Sequence, residues 1–289
     1  PPMEIAFLFE QVVNGLVLGG YYLLLALGLS LIFSVGGIVN FAHGAFYAIA
    51  AWLAIQVAGY SGSLWLAAVC GIAATVFIGI LIERYLLRRI AGDELPQALM
   101  TFGLMLILGD FALWAWGGTP QTLARPDWLT GPVRVAGVAF PAYRLFVIAV
   151  GVLVGALLWY LQARTRVGAM VRAVADDVET ARSLGINVSL LSSGAFATGT
   201  ALAALGGIVG GPIVGVHVGT ELEVLLLSFV VVIIGGLGSL PGAFVGAIIV
   251  GLVDTLGKAL VPDFALFTLF APMALILAVR PTGLFGREP

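Results

Sequence analysis

Residues 12–34 read VVNGLVLGGYYLLLALGLSLIFS, a stretch without a single charged side chain. A helix needs about 20 consecutive apolar residues to cross the hydrocarbon core of a bilayer, and this stretch is long enough. Comparable apolar runs lie near residues 38–58, 62–83, 97–116, 143–162, 190–212, 222–238, 241–260 and 264–279. The chain is therefore predicted to be all-α: a polytopic transmembrane helical bundle with about eight to ten membrane segments, forming one domain over residues 1–289.

The overall composition excludes several classes of protein. Hydrophobic residues make up 61% of the 289 residues and charged residues only 10%, whereas soluble domains carry roughly 25% charge. The net charge of −2 offers no basic surface for nucleic acid. The single cysteine, Cys70, can neither close a disulfide within the chain nor build a metal site. We therefore expect no metal ligands and no bound cofactor.

Two glycine-rich stretches interrupt the apolar pattern and resemble each other, GGIVNFAHGAF at 36–46 and GGLGSLPGAF at 235–244. Paired glycine-interrupted segments mark the central site of many transporters, so the runs 38–58 and 241–260 are candidates for broken or re-entrant helices. The candidate pathway or gating residues are Asn40, His43, Gly44, Gly236, Gly238, Ser239 and Gly242. Alternatively, Asn40 only caps the second helix and His43 packs at a turn.

Arginine clusters orient the chain, because short cytoplasmic loops are enriched in Lys and Arg. The clusters are Arg84, Arg88 and Arg89, then Arg164, Arg166, Arg172 and Arg182, and finally Arg280 and Arg287. All three are predicted to be cytoplasmic, which places the N-terminus and the loop 117–143 outside. Arg125, Arg134 and Arg144 weaken this bias, because they lie in or beside that outer loop.

The longest polar stretch on the predicted cytoplasmic side is the 164–187 segment. Its apolar residues recur at helical spacing: Met170, Val174, Val178 and Ala181. Its acidic residues fall on other faces: Asp176, Asp177 and Glu179. One short amphipathic helix is predicted, ending at Gly185, and such a helix fits a groove on a partner protein. A helix lying on lipid is the alternative, which the mixed charge disfavours.

Isolated charges in or beside the apolar runs give weaker signals. Acids within a span mark a pathway or a buried partner by default, and Asp110 and Asp254 lie in such runs. Lys258 follows Asp254 by one turn, which favours a simple i,i+4 ion pair. A predicted outer loop holds His217, Glu221 and Glu223, where they are either solvated or contact a docking protein.

The sequence also argues against catalysis by this chain. Residues 251–258 come near a phosphate-binding loop, but five residues separate the glycines where the motif needs four, and Ala259 replaces the Ser/Thr. We therefore expect no ATP hydrolysis by this chain. An intramembrane enzyme is disfavoured because the spans lack a paired His/Asp metal set or a Ser/His dyad.

Three motifs in order carry a resemblance: VNFAHG at 39–44, the 164–187 segment, and GGLGSLPGA at 235–243. Together they resemble the permeases of branched-chain amino-acid type ABC importers, most like the shorter of that family's two permeases, over residues 11–283. The resemblance implies a non-catalytic permease domain in the bacterial inner membrane that moves a small polar solute inward. An amino acid is the expected solute, with urea, amides and aromatic or dicarboxylic acids as further substrates of similar permeases.

The resemblance also implies partners, namely a second and longer permease, two cytoplasmic ATP-binding subunits and a periplasmic solute-binding protein. It makes the 164–187 segment the cytoplasmic coupling loop, with ATPase contacts at Met170, Arg172, Val174, Asp176, Asp177, Val178 and Glu179. The alternative function is a self-sufficient secondary transporter or channel. That function predicts ion-coupling carboxylates in mid-span and no segment that docks an ATPase.

Overall fold

The computed structural model describes residues 2–135 and 138–286 of the chain. Its α-helices are α1 (Pro2–Gly36), α2 (His43–Ser61), α3 (Leu64–Tyr85), α4 (Glu94–Trp116), α5 (Ala142–Arg164), α6 (Arg166–Asp176), α7 (Val178–Ser183), α8 (Val188–Val214), α9 (Thr220–Gly235), α10 (Leu240–Leu260) and α11 (Ala265–Val279). Short 3-10 helices lie at Leu87–Ile90, Asp127–Leu129 and Pro262–Phe264. An antiparallel hairpin of β1 (Pro132–Val135) and β2 (Val138–Pro141) precedes α5.

The all-α, polytopic class predicted from the sequence is confirmed, because each predicted apolar run corresponds to a helix. Within the described residues, seven helices are long and apolar enough to cross a membrane, namely α1 to α5, α8 and α10. The remaining two runs correspond to α9 and α11, which have 16 and 15 residues. At 1.5 Å per residue each rises only about 24 Å, less than the roughly 30 Å of a hydrocarbon core.

The bundle is built around α1, which packs against α10, α8, α5 and α9. Small residues let these helices approach closely, as helix packing in lipid requires. A Cβ placed on Gly15 would lie 2.9 Å from the Cα of Leu252, and one on Gly19 would lie 3.0 Å from the carbonyl oxygen of Ala247. The small-residue pair Gly15/Gly19 therefore forms the contact between α1 and α10.

The helices α6 and α7 define one end of the bundle, which we call the coupling face after the role predicted for the 164–187 segment. Leu31 and Val35, near the end of α1, pack there against Val174 of α6. The predicted arginine clusters lie on this face. Arg88 donates a hydrogen bond to the Ser193 hydroxyl in the first turns of α8. Arg280 lies just before residues 284–285, whose N–H groups donate to the last carbonyls of α9. Arg287 lies outside the described residues.

The opposite face carries the loop between α4 and α5, of which residues 117–135 and 138–141 are described. It contains the hairpin, and Gln121 bridges to Val216 after α8. On the same face, the Arg144 guanidinium in the first turn of α5 donates a hydrogen bond of 2.5 Å to the Asn14 side chain of α1.

Candidate functional site

Residues 37–42 form a non-helical stretch between α1 and α2, the mid-bundle break. The Ala42 N–H donates to the side chain of Asn40 at 3.1 Å, and the Phe41 N–H donates to the Thr101 hydroxyl of α4 at 3.2 Å. Irregular backbone persists at membrane depth only where protein encloses and satisfies it. The run 38–58 therefore begins with non-helical residues, which α4 stabilises, and α2 then continues unbroken to Ser61.

Asn40 and His43 are enclosed at the centre of the bundle. The His43 ring Nε2 lies 3.0 Å from the carbonyl oxygen of Leu25, well inside the span Phe7–Gly36. Neither residue is exposed, and the His43 Nδ1 and Asn40 Nδ2 atoms make no hydrogen bond with the described residues. Asn40 is not the cap of α2, because Ala42 holds that position; its side chain instead closes a turn with the backbone two residues on.

Gly44 lies against the first turn of α9. A Cβ on Gly44 would come within 2.8 Å of the Glu221 carbonyl carbon and closer still to its oxygen. The assignment of Glu221 and Glu223 to an outer loop is therefore wrong, since both residues lie in the first turn of α9. Acidic residues stabilise that position through the helix dipole. His217, just before α9, lies 3.6 Å from the Glu223 carboxylate.

The second glycine-rich stretch is a tight turn between α9 and α10 on the coupling face. Gly236 and Gly238 have φ of 104° and 74°, values that side chains with a Cβ rarely adopt. Ser239 caps α10 by accepting a hydrogen bond of 3.1 Å from the Gly242 N–H. Gly242 packs directly on the backbone of Gly235. The run 241–260 therefore begins as a regular helix and is not broken.

The second glycine-rich stretch approaches the end of α1, just before the first stretch, but it does not reach Asn40 or His43. Gly238 lies beside the end of α1, where a Cβ would be 3.5 Å from the Cα of Ser34. A cavity of about 1300 Å³ opens there on the coupling face, and Gly238 and Ser239 line it. Asn40, His43 and Gly44 do not line it. The candidate pathway residues thus divide into an enclosed group at the mid-bundle break and a group at the coupling-face cavity.

The 164–187 segment forms two helices, α6 and α7, where one was predicted. Asp177 between them is extended, and its side chain accepts hydrogen bonds from the N–H groups of Glu179 and Thr180 at 2.9 and 3.1 Å. The Thr180 side chain and backbone hold the pKa of the Asp177 carboxyl below its ordinary value. Asp177 is thus the N-cap of α7. Gly185, with φ of 84°, ends α7 as predicted.

The inner side of α6 is fixed to its own bundle. Val174 is 2% exposed and packs with Leu31 and Val35 of α1, so it is not available to a partner protein as the predicted stripe required. The amphipathic pattern is real, but its apolar side faces inward. Arg172 donates a hydrogen bond to the Gln162 carbonyl at the end of α5, a position where the helix dipole favours a cation.

The outer side of the segment presents a mixed surface. Val178 is 41% exposed and Leu184 is 75% exposed, and Asp176 and Glu179 lie beside them on the surface. Met170 is half-buried. Apolar residues bordered by charges are typical of surfaces that bind proteins. Leu184 had no place in the predicted stripe, because it follows the break at Asp177.

Comparison with known proteins identifies the chain. The family model for the permease component of the branched-chain amino acid transport system matches residues 11–279. The chain belongs to this family. It is accordingly a multi-pass permease of the inner membrane, with helices suited to that environment.

Individual relatives agree with the family. The permease is 29% identical to the high-affinity branched-chain amino acid transport system permease protein BraD of Pseudomonas aeruginosa, over 98% of this chain and 97% of that protein. It is 27% identical to the permease protein LivH of Escherichia coli K12 over the same shares. It is also 31% identical to the autoinducer 2 import system permease protein LsrC of an Enterobacter species, over 81% of this chain and 67% of that protein.

The acidic residues of the permease spans differ in their surroundings. Asp254 is 1% exposed and accepts hydrogen bonds from Lys258 at 2.8 Å and from the Tyr22 hydroxyl at 3.3 Å, which confirms the predicted ion pair. Asp110 lies on the exposed side of α4, about two turns from the end of the helix on the opposite face. Across residues 2–135 and 138–286, no group of His, Cys, Asp and Glu has the arrangement of a metal site.

One polar cluster was not found in the sequence. Glu83, at the end of α3, is 5% exposed and pairs with Arg88 at 3.2 Å. The Ser193 hydroxyl of α8 donates to the same carboxylate at 2.8 Å and lies 2.5 Å from Arg88. The cluster ties α3 to α8, the helix that follows the 164–187 segment. The sequence could indicate only that Glu83 is an acidic residue in an otherwise apolar run, and no sequence pattern pairs Glu83 with Ser193.

Proposed function

We propose that this permease is the translocating subunit of a binding-protein-dependent ABC importer and moves an amino acid inward by alternating access. Its relatives BraD and LivH, which match it over nearly their whole length, are permeases for branched-chain amino acids. The proposed partners are a second, longer permease, two cytoplasmic ATP-binding subunits and a periplasmic solute-binding protein. The permease itself is not catalytic, and ATP is hydrolysed by the ATP-binding subunits.

The observation that carries this proposal is the two-sided packing of the 164–187 segment. Its inner side, at Val171 and Val174, packs on the end of α1. On its outer side Val178 and Leu184 remain 41% and 75% exposed, and Val178 also lines the coupling-face cavity. A segment that transmits movement from an ATPase to the membrane helices must contact the ATPase on one side and the helices on the other. The docking contacts we propose are Val178 and Leu184, with Asp176 and Glu179 at the rim setting orientation.

The same packing gives a route from the 164–187 segment to the centre of the bundle. The end of α1 leads directly into the mid-bundle break, where Asn40 and His43 are enclosed. We propose that displacement of α6 moves the end of α1 and opens the break to the solute. Gly44, Gly236 and Gly242 act in this scheme as close-packing points about which helices move, and Gly238 and Ser239 as the lining of the inward-facing cavity.

A coupling assay separates docking from transmission. Leu184→Asp places a charge on the proposed docking surface, so the ATP-binding subunits should no longer co-purify with the permease. Val174→Ala loosens the inner contact only, so co-purification should persist while ATP hydrolysis stimulated by loaded binding protein falls. Tyr60→Asp, which changes a 90% exposed residue on the opposite face, is the matched control and should leave co-purification intact.

Full ATPase association and full substrate-stimulated turnover with Leu184→Asp would show that the docking contact lies elsewhere. Loss of association with the control as well would show a general loss of folding. The rival function, a self-sufficient secondary transporter, would require no such partner at all. It is disfavoured because Asp254, the buried acid of α10, is already paired with Lys258.

A further inference from the structure

A second cavity, of about 520 Å³, lies on the opposite face between α1, α5, α8 and α10. Its polar rim includes Asn14, Arg144, Thr255 and Lys258. Its apolar lining, the floor, includes Leu18 and Ile213, whereas Val17 behind them is only 3% exposed. The volume is within the roughly 300–1,000 Å³ of sites that bind small molecules. Neither the coupling nor the pathway proposed above uses this cavity.

The rim carries uncompensated positive charge. Arg144 lies in the first turn of α5, where the helix dipole already favours an anion and disfavours a cation. Within the described ranges its hydrogen-bond partner is the neutral Asn14 side chain, and no ion pair involves it. Asp254 neutralises Lys258 but leaves Arg144 without an acid. The side chain of Lys258 is also 59% exposed, so its other two ammonium protons can reach a ligand.

A buried hydroxyl in the same cavity lacks a partner. Thr255 is 9% exposed, and its Oγ1 makes no hydrogen bond with any described residue. A helical threonine can donate to the carbonyl one turn earlier, as Thr75 does to Gly71 at 2.7 Å. A buried hydroxyl without a partner is costly. An acceptor in the cavity would satisfy Thr255 as well as the two cations.

The depth of these groups matches that of a phospholipid. Arg144 and Lys258 lie in the terminal turns of two helices that are long enough to span a bilayer, and the ends of such helices reach the headgroup region. Leu18 lies one turn deeper than Asn14 along α1, on the side where the acyl chain of a headgroup bound at Arg144 would extend. Phe7, which also lines the cavity, is 42% exposed and opens it toward the outer surface of the bundle. A carboxylate from a docking protein would use the rim but not this apolar floor.

We propose that the cavity binds an anionic phospholipid, with its phosphate between Arg144 and Lys258, the Thr255 hydroxyl donating to a phosphate oxygen, and an acyl chain along Phe7 and Leu18. A guanidinium donates a charge-assisted hydrogen bond to a phosphate oxygen. The bound lipid would hold α1, α5 and α10 together at the face opposite the coupling helices. This site is independent of which solute the permease carries.

The test is lipid binding to the purified permease by native mass spectrometry, with phosphatidylglycerol and phosphatidylcholine of matched chains as probes. Wild-type permease should bind phosphatidylglycerol more tightly than phosphatidylcholine. Arg144→Gln should weaken phosphatidylglycerol binding about tenfold, as loss of one charge-assisted hydrogen bond implies. Thr255→Val should weaken it by roughly threefold to tenfold. Thr200→Val removes another buried hydroxyl without a partner, outside the cavity, and should change nothing.

Thermal stability in lipid-free detergent provides the folding control, because Thr255→Val removes no hydrogen bond within the protein and should not destabilise it. Equal binding of the two lipids, unaffected by Arg144→Gln or Thr255→Val, would overturn the proposal. Displacement of phosphatidylglycerol by millimolar glycerol 3-phosphate would overturn the lipid assignment in favour of a soluble phosphate. Loss of binding-protein docking in Arg144→Gln, with lipid binding intact, would overturn it in favour of a protein carboxylate.

Discussion

Gly44→Ala tests the close contact between the mid-bundle break and α9. The added Cβ would lie 2.8 Å from the Glu221 carbonyl carbon and 3.2 Å from its Cα, closer than the ordinary contact of 3.4–4 Å. The atoms it meets belong to the backbone of a helix, so no side-chain rotation can relieve the overlap. The whole first turn of α9 must move instead.

The magnitude follows from two opposing effects. Overpacking a well-filled interior costs about 1–3 kcal/mol, and an unyielding backbone neighbour favours the upper part of that range. Replacing Gly by Ala within a helix contributes about 0.5–1 kcal/mol in the other direction. Gly59→Ala is the matched control, because Gly59 belongs to the same helix and a Cβ there meets nothing within 4 Å. It should be neutral or stabilising.

Thermal unfolding of the two variants in the same detergent measures the difference. We expect Gly44→Ala to melt roughly 5–10 °C below Gly59→Ala, since 1 kcal/mol shifts Tm by about 2–4 °C in a chain of this size range. Solute uptake should also fall for Gly44→Ala, because the displaced α9 lies against the break. Equal melting temperatures for the two variants would refute the assigned contact between Gly44 and Glu221.

Three further predictions follow from the polar contacts and the arginine clusters. Lys258→Met should lower the free energy of unfolding by about 1–2 kcal/mol, less than for a fully buried ion pair because solvent surrounds the half-exposed ammonium. Adding Asp254→Asn should restore part of the melting temperature, since it removes the unpaired buried charge. An unchanged stability of Lys258→Met would show that the ion pair does not stabilise the protein. Because the pKa of Asp177 is lowered, its cap on α7 should persist at neutral pH and be lost only when acid protonates the carboxyl, below the ordinary Asp range. At neutral pH Asp177→Ala should speed amide hydrogen exchange in α7 more than Asp177→Asn, because Asn can still accept the capping hydrogen bonds. Equal exchange rates in the two variants would contradict the cap. A cysteine at Leu184 should be labelled only from the cytoplasm and one at Trp128 only from outside, whereas outside labelling at Leu184 would reverse the orientation.

The spans and their shared arginine face were predictable because lipid leaves few structural choices. A long apolar run must satisfy its backbone internally, so each run became a helix. The residues at which the helices begin were harder to predict. The sequence indicated an interruption after Gly36, but it did not indicate how deep in the bundle α2 would begin, at His43. That depth depends on Thr101 and Leu25, which lie far away in the sequence.

The 164–187 segment shows a second limit of sequence patterns. An amphipathic stripe predicts that one side is covered, but it does not say whether the cover is the chain's own bundle or a partner. The structure places Val174 inward on α1, so the exposed residues Val178 and Leu184 take over the proposed docking role. The division into α6 and α7 was readable in principle, because Asp177 followed by Thr180 is an N-cap pattern.

ATP-driven uptake into proteoliposomes tests the central claim most directly. The permease would be reconstituted with the proposed second permease and ATP-binding subunits, and uptake of radiolabelled leucine would be measured with and without ATP and the proposed binding protein. We predict uptake only when both are present, and none from an ion gradient alone. Leucine uptake by this chain alone, driven by an ion gradient and indifferent to ATP, would contradict the account.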